Sequence, residues 1–325
     1  MVKQSLQNYA SILNLSKQRG NVFNNHAGIN LTDTKLQVVE INYRDDSFYL
    51  ETVDQIFHVE HFSPELPEEA IIDLLQNSME KLNKRKPILA KNVSFSLPNN
   101  FFRIFEIPFD DSLVKKDLIE HFRWELSVLY PDCNSEDFLL QHIEINKSPL
   151  IKEKRAIVIA IDRRHVFALN KFCDKNGLQL KFIDNVHLAS NAFLYLEKPL
   201  IDNEISLSIY IDQKFSSVSA MDGVHPFYFK VLNPDSNNIF VELTETIKEM
   251  EEFNLSITDF KRVLLYGQDI AEDFEQRLKN FFGLPLKKVN PFERFKVEES
   301  IQKNPFFKMK YNSFTAAAGI AIRII

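Results

Sequence analysis

Gly28-Ile29-Asn30-Leu31-Thr32-Asp33-Thr34-Lys35-Leu36-Gln37-Val38-Val39-Glu40-Ile41 changes the rhythm of the chain. Ile29 and Leu31 flank Asn30 before a Thr-Asp-Thr turn, and apolar residues at alternate positions resume after it, which is strand–turn–strand patterning. Working outward, strand-like runs fall at 27–31, 35–43 and 47–54, separated by Asp33 and by Asp45-Asp46. Leu66, Ala70, Ile71, Leu74, Leu75, Met79 and Leu82 then form one helical stripe over 66–84, bounded by Pro64 and Pro87. Residues 91–97 read as the next strand. Upstream, Val2, Leu6, Tyr9, Ile12 and Leu13 have helical spacing, so 1–23 is expected to be an amphipathic leader.

A second unit starts after Pro98. It reads as strand 101–107, helix 112–129 with Ser112 as its cap, strands 138–146 and 154–162, helix 164–176 stopped by Gly177, and strand 178–184. That order, βαββαβ, is the split arrangement of a ferredoxin-like module. A third unit repeats the first. It has strands 205–211, 215–222 and 225–232, helix 239–253, strand 261–266, helix 269–281, strand 284–289 and a small-residue helical segment over 313–323. Three antiparallel strands feeding alternating helices and strands, twice, predict an α/β fold of the actin-like, ribonuclease-H-type duplicated kind.

Composition narrows the function. The 325 residues are 45% hydrophobic and 26% charged, enough for about two domains. Only 7 are glycine, where average usage gives roughly 23, while 29 are phenylalanine. Glycine-rich loops bring backbone N–H groups up to phosphates. Neither a P-loop nor a GxGxxG fingerprint is present. A net charge of −6 gives no basic footprint for nucleic acid. The charge is uneven: residues 1–32 and 300–325 carry bases and no acid, against 45 acids in between.

Cys133 and Cys173 lack metal or CxxC spacing and are expected to be reduced thiols. No signal-peptide apolar region opens the sequence, and no window holds 18 apolar residues, so a cytoplasmic chain is expected. His58-Val-Glu60-His61 lacks HExxH spacing on a helix, and Asp162-Arg-Arg-His165 reads as a polar helix start. Asp110-Asp111 is expected to be an N-terminal charge pair ahead of a helix. The adjacent pairs Phe101-Phe102, Phe281-Phe282 and Phe306-Phe307 would each turn one ring outward in a strand.

Five strings, in order, resemble the PilM family of type IV pilus assembly proteins, relatives of the cell-division protein FtsA. The first is the stretch from Gly28 to Ile41. Then come Leu97-Pro98 with Phe105-Glu106-Ile107-Pro108, and Phe122-Arg123-Trp124-Glu125 with Pro131. Asn290-Pro291-Phe292 and the closing Ala316–Arg323 complete the set. The resemblance spans 24–325. It implies a first half over 24–97, completed by 186–200 and 312–325. A ferredoxin-like insertion would occupy 98–185 and a shortened second half 201–311.

In that family a nucleotide lies between the halves, held by two phosphate loops and an adenine-side glycine turn. Each part departs here. Asn30 stands for the expected Asp, Thr32 for the expected Gly, and Asp33 and Thr34 follow, with Gln37 at a lysine-like position. A carboxylate beside a triphosphate costs on the order of 1 kcal/mol or more at contact distance. Asp212 survives in the second loop, followed by Gln213 and Lys214 without a glycine, and Gly267 alone remains of the adenine-side run. About thirty residues between Asn233 and Val263 replace a longer stretch, most of a small subdomain. A degenerate nucleotide site is therefore expected, with no cofactor and no ATP hydrolysis.

The resemblance also implies a partner, the short cytoplasmic N-terminal segment of a bitopic, PilN-like inner-membrane protein. It would dock in a groove bounded by 91–108, helix 112–130 and strands near 154–162, with Phe101, Phe105, Phe122 and Trp124 as anchors. The chain would work as a scaffold at the inner face of the cytoplasmic membrane. The alternative is an actin-like ATPase that binds Mg-ATP through Asp212 and Asn30 and polymerises or switches. The cytoplasmic part of an L-type secretion protein is a third candidate, one that calls for a transmembrane helix beyond residue 325.

Overall fold

The computed structural model describes residues 25–322 apart from 46, 110–111, 146–153, 202–203, 213, 233–238 and 253. The leader read over 1–23 lies outside the described residues, as do Asp110 and Asp111.

Three strands open the described chain: β1 (Asn25–Leu31), β2 (Lys35–Arg44) and β3 (Ser47–Phe57). They pair antiparallel in sequence, with Ile29 opposite Val38 and Asn30 opposite Gln37. Helix α1 (Glu68–Arg85) crosses to β4 (Asn92–Leu97), which lies parallel to β1. Acids in its first turn and Lys84 and Arg85 in its last favour the helix dipole. Its buried stripe runs from Ile71 through Leu75 and Met79 to Leu82, as the sequence period requires.

Between β4 and the next helix of this half lie β5 (Phe102–Pro108), α2 (Lys115–Leu129), β6 (Phe138–Ile145) and β7 (Arg155–Asp162). These strands form a separate three-stranded sheet, β5-β7-β6. One face packs Phe105, Val158 and Ala160 against Phe122 and Leu126 of α2, and the other, through Ile157, Ile159 and Ile161, joins the main core.

The chain returns through α3 (Arg163–Lys175) and β8 (Gln179–Asn185). Asp162 caps α3 by accepting from Arg164 N at 2.8 Å, the polar start its sequence suggested. Here the expected ferredoxin-like module fails. β8 pairs parallel with β4, not with β5 or β7, and Phe172 of α3 meets Phe95 of β4 edge-on. Element order is the same whichever sheet the last strand joins; the apolar face of α3, buried with the first half, decides it. Ser112 is no cap either, since α2 begins after Val114.

After α4 (Val186–Ser190) and α5 (Leu194–Ile201) the pattern repeats: β9 (Ile205–Ile211), β10 (Ser216–Asp222), β11 (His225–Leu232), α6 (Ile239–Glu252), β12 (Arg262–Gly267), α7 (Glu272–Phe282) and β13 (Leu286–Lys288). The second sheet runs β11-β10-β9-β12-β13, the same order and sense as β3-β2-β1-β4-β8 in the first. The tail adds β14 (Lys296–Val297) beside β3, then α8 (Glu299–Gln302), α9 (Pro305–Met309) and α10 (Thr315–Ile322).

α10, Thr-Ala-Ala-Ala-Gly-Ile-Ala-Ile, is buried on all sides. A Cβ on Gly28 would fall 1.9 Å from Ala317 O, and one on Gly319 2.0 Å from Ala189 O. Two of the few glycines thus let α10 press between β1 and α4. The paired phenylalanines form no exposed ridge. Phe101 sits in a helical turn and is buried with Phe102, while the other two pairs lie on helices and pack inward or onto aromatic neighbours.

Candidate functional site

Three turns meet between the halves. They follow β1 (Thr32–Thr34), β9 (Asp212 onward) and β12 (Gln268 and Asp269), all at the carboxyl ends of central strands, where open α/β sheets form crevices. The first is the expected phosphate loop, but its own side chain uses its donors. Thr32 Oγ1 accepts from Lys35 N at 3.1 Å and from Thr34 N at 3.4 Å. Those N–H groups are therefore turned onto the loop itself.

Asn30, with no exposed surface, donates from Nδ2 to Gln37 Oε1 (2.8 Å) and accepts from Ser96 (2.9 Å). Gln268 Nε2 reaches across from the second half to the same Gln37 oxygen (3.0 Å) and to Ser313 O (2.8 Å). This buried amide relay occupies the centre of the cleft. Asp212, the surviving acid, stands beside Tyr210; burial first, and then the Asp212 carboxylate, push that phenol well above its ordinary pKa.

Ion pairs close the mouth. Lys214 Nζ lies 3.0 Å from Asp33 Oδ2, and His61 Nδ1 lies 3.2 Å from Asp33 Oδ1. Lys35, only 3% exposed, puts its ammonium 2.6 Å from Asp269 Oδ2, and Lys310 approaches Asp269 Oδ1 at 2.9 Å. Burial pushes the Asp269 carboxyl up, but the two lysines outweigh it and hold the group below the usual carboxylate range. Asp269 has φ 49°, a left-handed conformation that Asp tolerates better than most residues, and its N–H donates to Ser313 Oγ.

Gly267 has φ 141°, and a Cβ there would sit 2.1 Å from Ile211 O. Its bareness serves the approach of β12 to β9, where Gln268 N donates to Ile211 O at 2.9 Å. Deeper down, fully buried His187 contacts Ser217 Oγ (2.8 Å) and Ser208 Oγ (2.6 Å), and Asn99 donates to Ser217 (3.2 Å). Among the described residues no group of three or more His, Cys, Asp or Glu is placed to hold a metal ion.

The cleft thus collects Asn30, Thr32, Asp33, Thr34, Asp212, Lys214 and Gly267, all singled out in the sequence. Lys35, Asp269 and Lys310 were missed as a set. The signal available was the loss of glycine at Thr32 and beside Gly267, which puts side chains into the space between the halves.

The proposed partner anchors separate. Phe101 is buried, stacked on Phe62 (4.6 Å between centroids) and edge-on to His165. Phe105 and Phe122 form the core under α2. These three are packing residues in this structure, a correction to their reading as surface anchors: the inward period of β5 and α2 takes them. Trp124 alone is exposed, at 60%, with Val128 one turn on and Val114 near the start of α2. Glu106, quoted without a role, accepts from Phe229 N at 3.0 Å and so ties the inserted sheet to β11.

A search of solved structures finds the PilM–PilN type IV pilus biogenesis complex at a TM-score of 0.70 and 18% identity, covering 92% of this chain and 98% of that one. The fold is actin-like. A Bacteroides thetaiotaomicron protein described as having an actin-like ATPase fold and unknown function is also similar, with TM-score 0.51, 12% identity, and 92% and 98% covered. No protein-family model matches the sequence, and no curated protein does. Side chains from both halves fill the cleft between them. Among the described residues no helix is long and apolar enough to cross a membrane.

Proposed function

We propose that this chain is a non-enzymatic scaffold of a type IV pilus or related secretion-type assembly, working at the cytoplasmic face of the inner membrane. It binds a short cytoplasmic segment of a bitopic membrane partner and neither binds nor hydrolyses ATP. The observation that carries this reading is the filled cleft. A triphosphate there would have to displace the Asp33–Lys214 and Lys35–Asp269 pairs and meet two carboxylates. The likeness to the PilM–PilN complex supports the class of partner.

The docking surface is the exposed side of the inserted subdomain. Trp124 and Val128 offer an aromatic and aliphatic anchor, and β6, an edge of its sheet, offers main-chain groups for strand addition.

The test uses the purified chain and a synthetic peptide, the cytoplasmic N-terminal segment of a bitopic, PilN-like membrane protein. Calorimetry is expected to show binding that Trp124→Ala abolishes. Mg-ATP at 1 mM is expected to leave the melting temperature unchanged, whereas a ligand at 100 times its Kd would add about 2.7 kcal/mol. A rise of several degrees with Mg-ATP would overturn the nucleotide-free reading. Peptide binding that survives Trp124→Ala would overturn the docking surface.

A further inference from the structure

Contacts between the halves are spread from the floor of the cleft to its mouth. His187 meets Ser208 and Ser217 at the floor, Gln268 meets Gln37 midway, and the two ion-pair groups stand at the mouth. Two lobes that hinge about a ligand are ordinarily bridged by that ligand. Here side chains of the chain itself span the two halves.

We infer that Lys35–Asp269–Lys310 and Asp33–Lys214 form a built-in latch that holds the two halves closed. The angle between them then answers to these pairs and not to a bound nucleotide. The inference deepens the nucleotide-free reading above and rests on it.

Lys35 is the centre of the latch. An ammonium 3% exposed is tolerable only beside a carboxylate, and Asp269 supplies it from the opposite half. Removing that carboxylate leaves a buried charge whose cheapest escape is to reach water. Lys35 sits at the rim of the cleft, at the start of β2, so it reaches water when the halves part, without unfolding either sheet. Lys310 ties Asp269 to the tail segment leading into α10, which packs on β1 and β4, so the latch also binds the tail to the second half. Asp33–Lys214 is more exposed and contributes less, but it closes the other side of the mouth.

Amide exchange of the full chain, followed by mass spectrometry with and without 1 mM Mg-ATP, tests this. Peptides covering 27–38 and 262–271 report the cleft, and a peptide covering 155–162 reports the inserted sheet. Asp269→Asn is expected to speed exchange in the cleft peptides tenfold or more and to leave 155–162 unchanged. Adding Lys35→Met to it is expected to restore slow exchange, because the stranded charge is gone. Lys214→Met, a change at an exposed side chain, is expected to give a two- to threefold increase confined to the cleft peptides.

Exchange in Asp269→Asn equal to wild type overturns the latch. If that variant loosens everywhere, Lys214→Met decides: an increase confined to the cleft supports the latch and no increase overturns it. Slower exchange in the wild type with Mg-ATP would sink the nucleotide-free reading instead, which keeps the two failures apart.

Discussion

Lys214 Nζ and Asp33 Oδ2 stand 3.0 Å apart and join the β1–β2 turn to the β9–β10 turn. Taken singly, one residue repels a phosphate and the other attracts one; together they neutralise each other where the anion would lie. Lys214→Glu sets two carboxylates face to face. Lys214 is exposed and Asp33 is partly buried, and the lost pair and the new repulsion are each worth a few tenths of a kcal/mol to about 1 kcal/mol at such a site. We expect a lower urea midpoint with an unchanged slope, and recovery when Asp33→Lys is added. A double variant no more stable than Lys214→Glu would mean that the pair contributes nothing.

Phe122 and Trp124 are two residues apart on α2 and should behave oppositely. Phe122 is 1% exposed in the core of the inserted subdomain, and truncating such a ring costs about 3–5 kcal/mol. Trp124→Ala removes an exposed ring, for which the expected change is within about 0.5 kcal/mol. Urea melts of the two variants check this. A large loss of stability in Trp124→Ala would mean that its loss of peptide binding reports damage to the subdomain and not a lost contact.

Gly28 and Gly319 give a prediction from covalent geometry alone. Each lies where a methyl group would overlap a backbone oxygen at about 2 Å, and backbone cannot yield as a side-chain tip can. Overpacking a core ordinarily costs about 1–3 kcal/mol, and these sites should reach or exceed the upper end. Gly177, at φ 65° with nothing within 4 Å of an added Cβ, is the contrast. Gly177→Ala carries only the left-handed penalty of about 1–2 kcal/mol. Thermal melts that rank Gly177→Ala below Gly28→Ala would contradict the packing of α10.

What the sequence made legible was local. The strands from Gly28 and the helical stripe ending at Leu82 appear in the structure within a few residues, because strand and helix periods are set between near neighbours in the chain, even though β1 and most of β2 are buried on both faces. What it hid was long-range. Whether β8 joins β7 or β4 depends on the partner of Phe172, 77 residues from Phe95 in the chain, and both topologies share one element order. Lys35 and Asp269, at |i−j| = 234, carry no periodic signal; only the side chains in place of glycine hinted that the cleft was full. Phe105 was an anchor by the resemblance alone, and an apolar strand residue reads alike in sequence whether it faces a partner or, as here, its own subdomain's core.

Acid should loosen this protein before its carboxylates titrate. Burial holds His187 down to about 3, and His26 and His58 down to about 4, from an ordinary value of 6.5. All three stay neutral in the folded chain at pH 5, while the unfolded chain binds protons on each. Folded values below unfolded ones mean that the stability is complete above pH 6.5 and is lost as pH falls towards 4. Each histidine contributes a slope of about 1.4 kcal/mol per pH unit within that window. Urea melts at pH 7.5, 6 and 5 should therefore show a steep decline. His187→Gln, whose amide can still reach Ser208 and Ser217, should lower the slope by up to about 1.4 kcal/mol per pH unit, since it removes one proton site while leaving the floor of the cleft bonded; His142 and His165, held down by burial as well, keep part of the decline. An undiminished slope in that variant would show that His187 is already protonated in the folded state, in conflict with its burial between two hydroxyls.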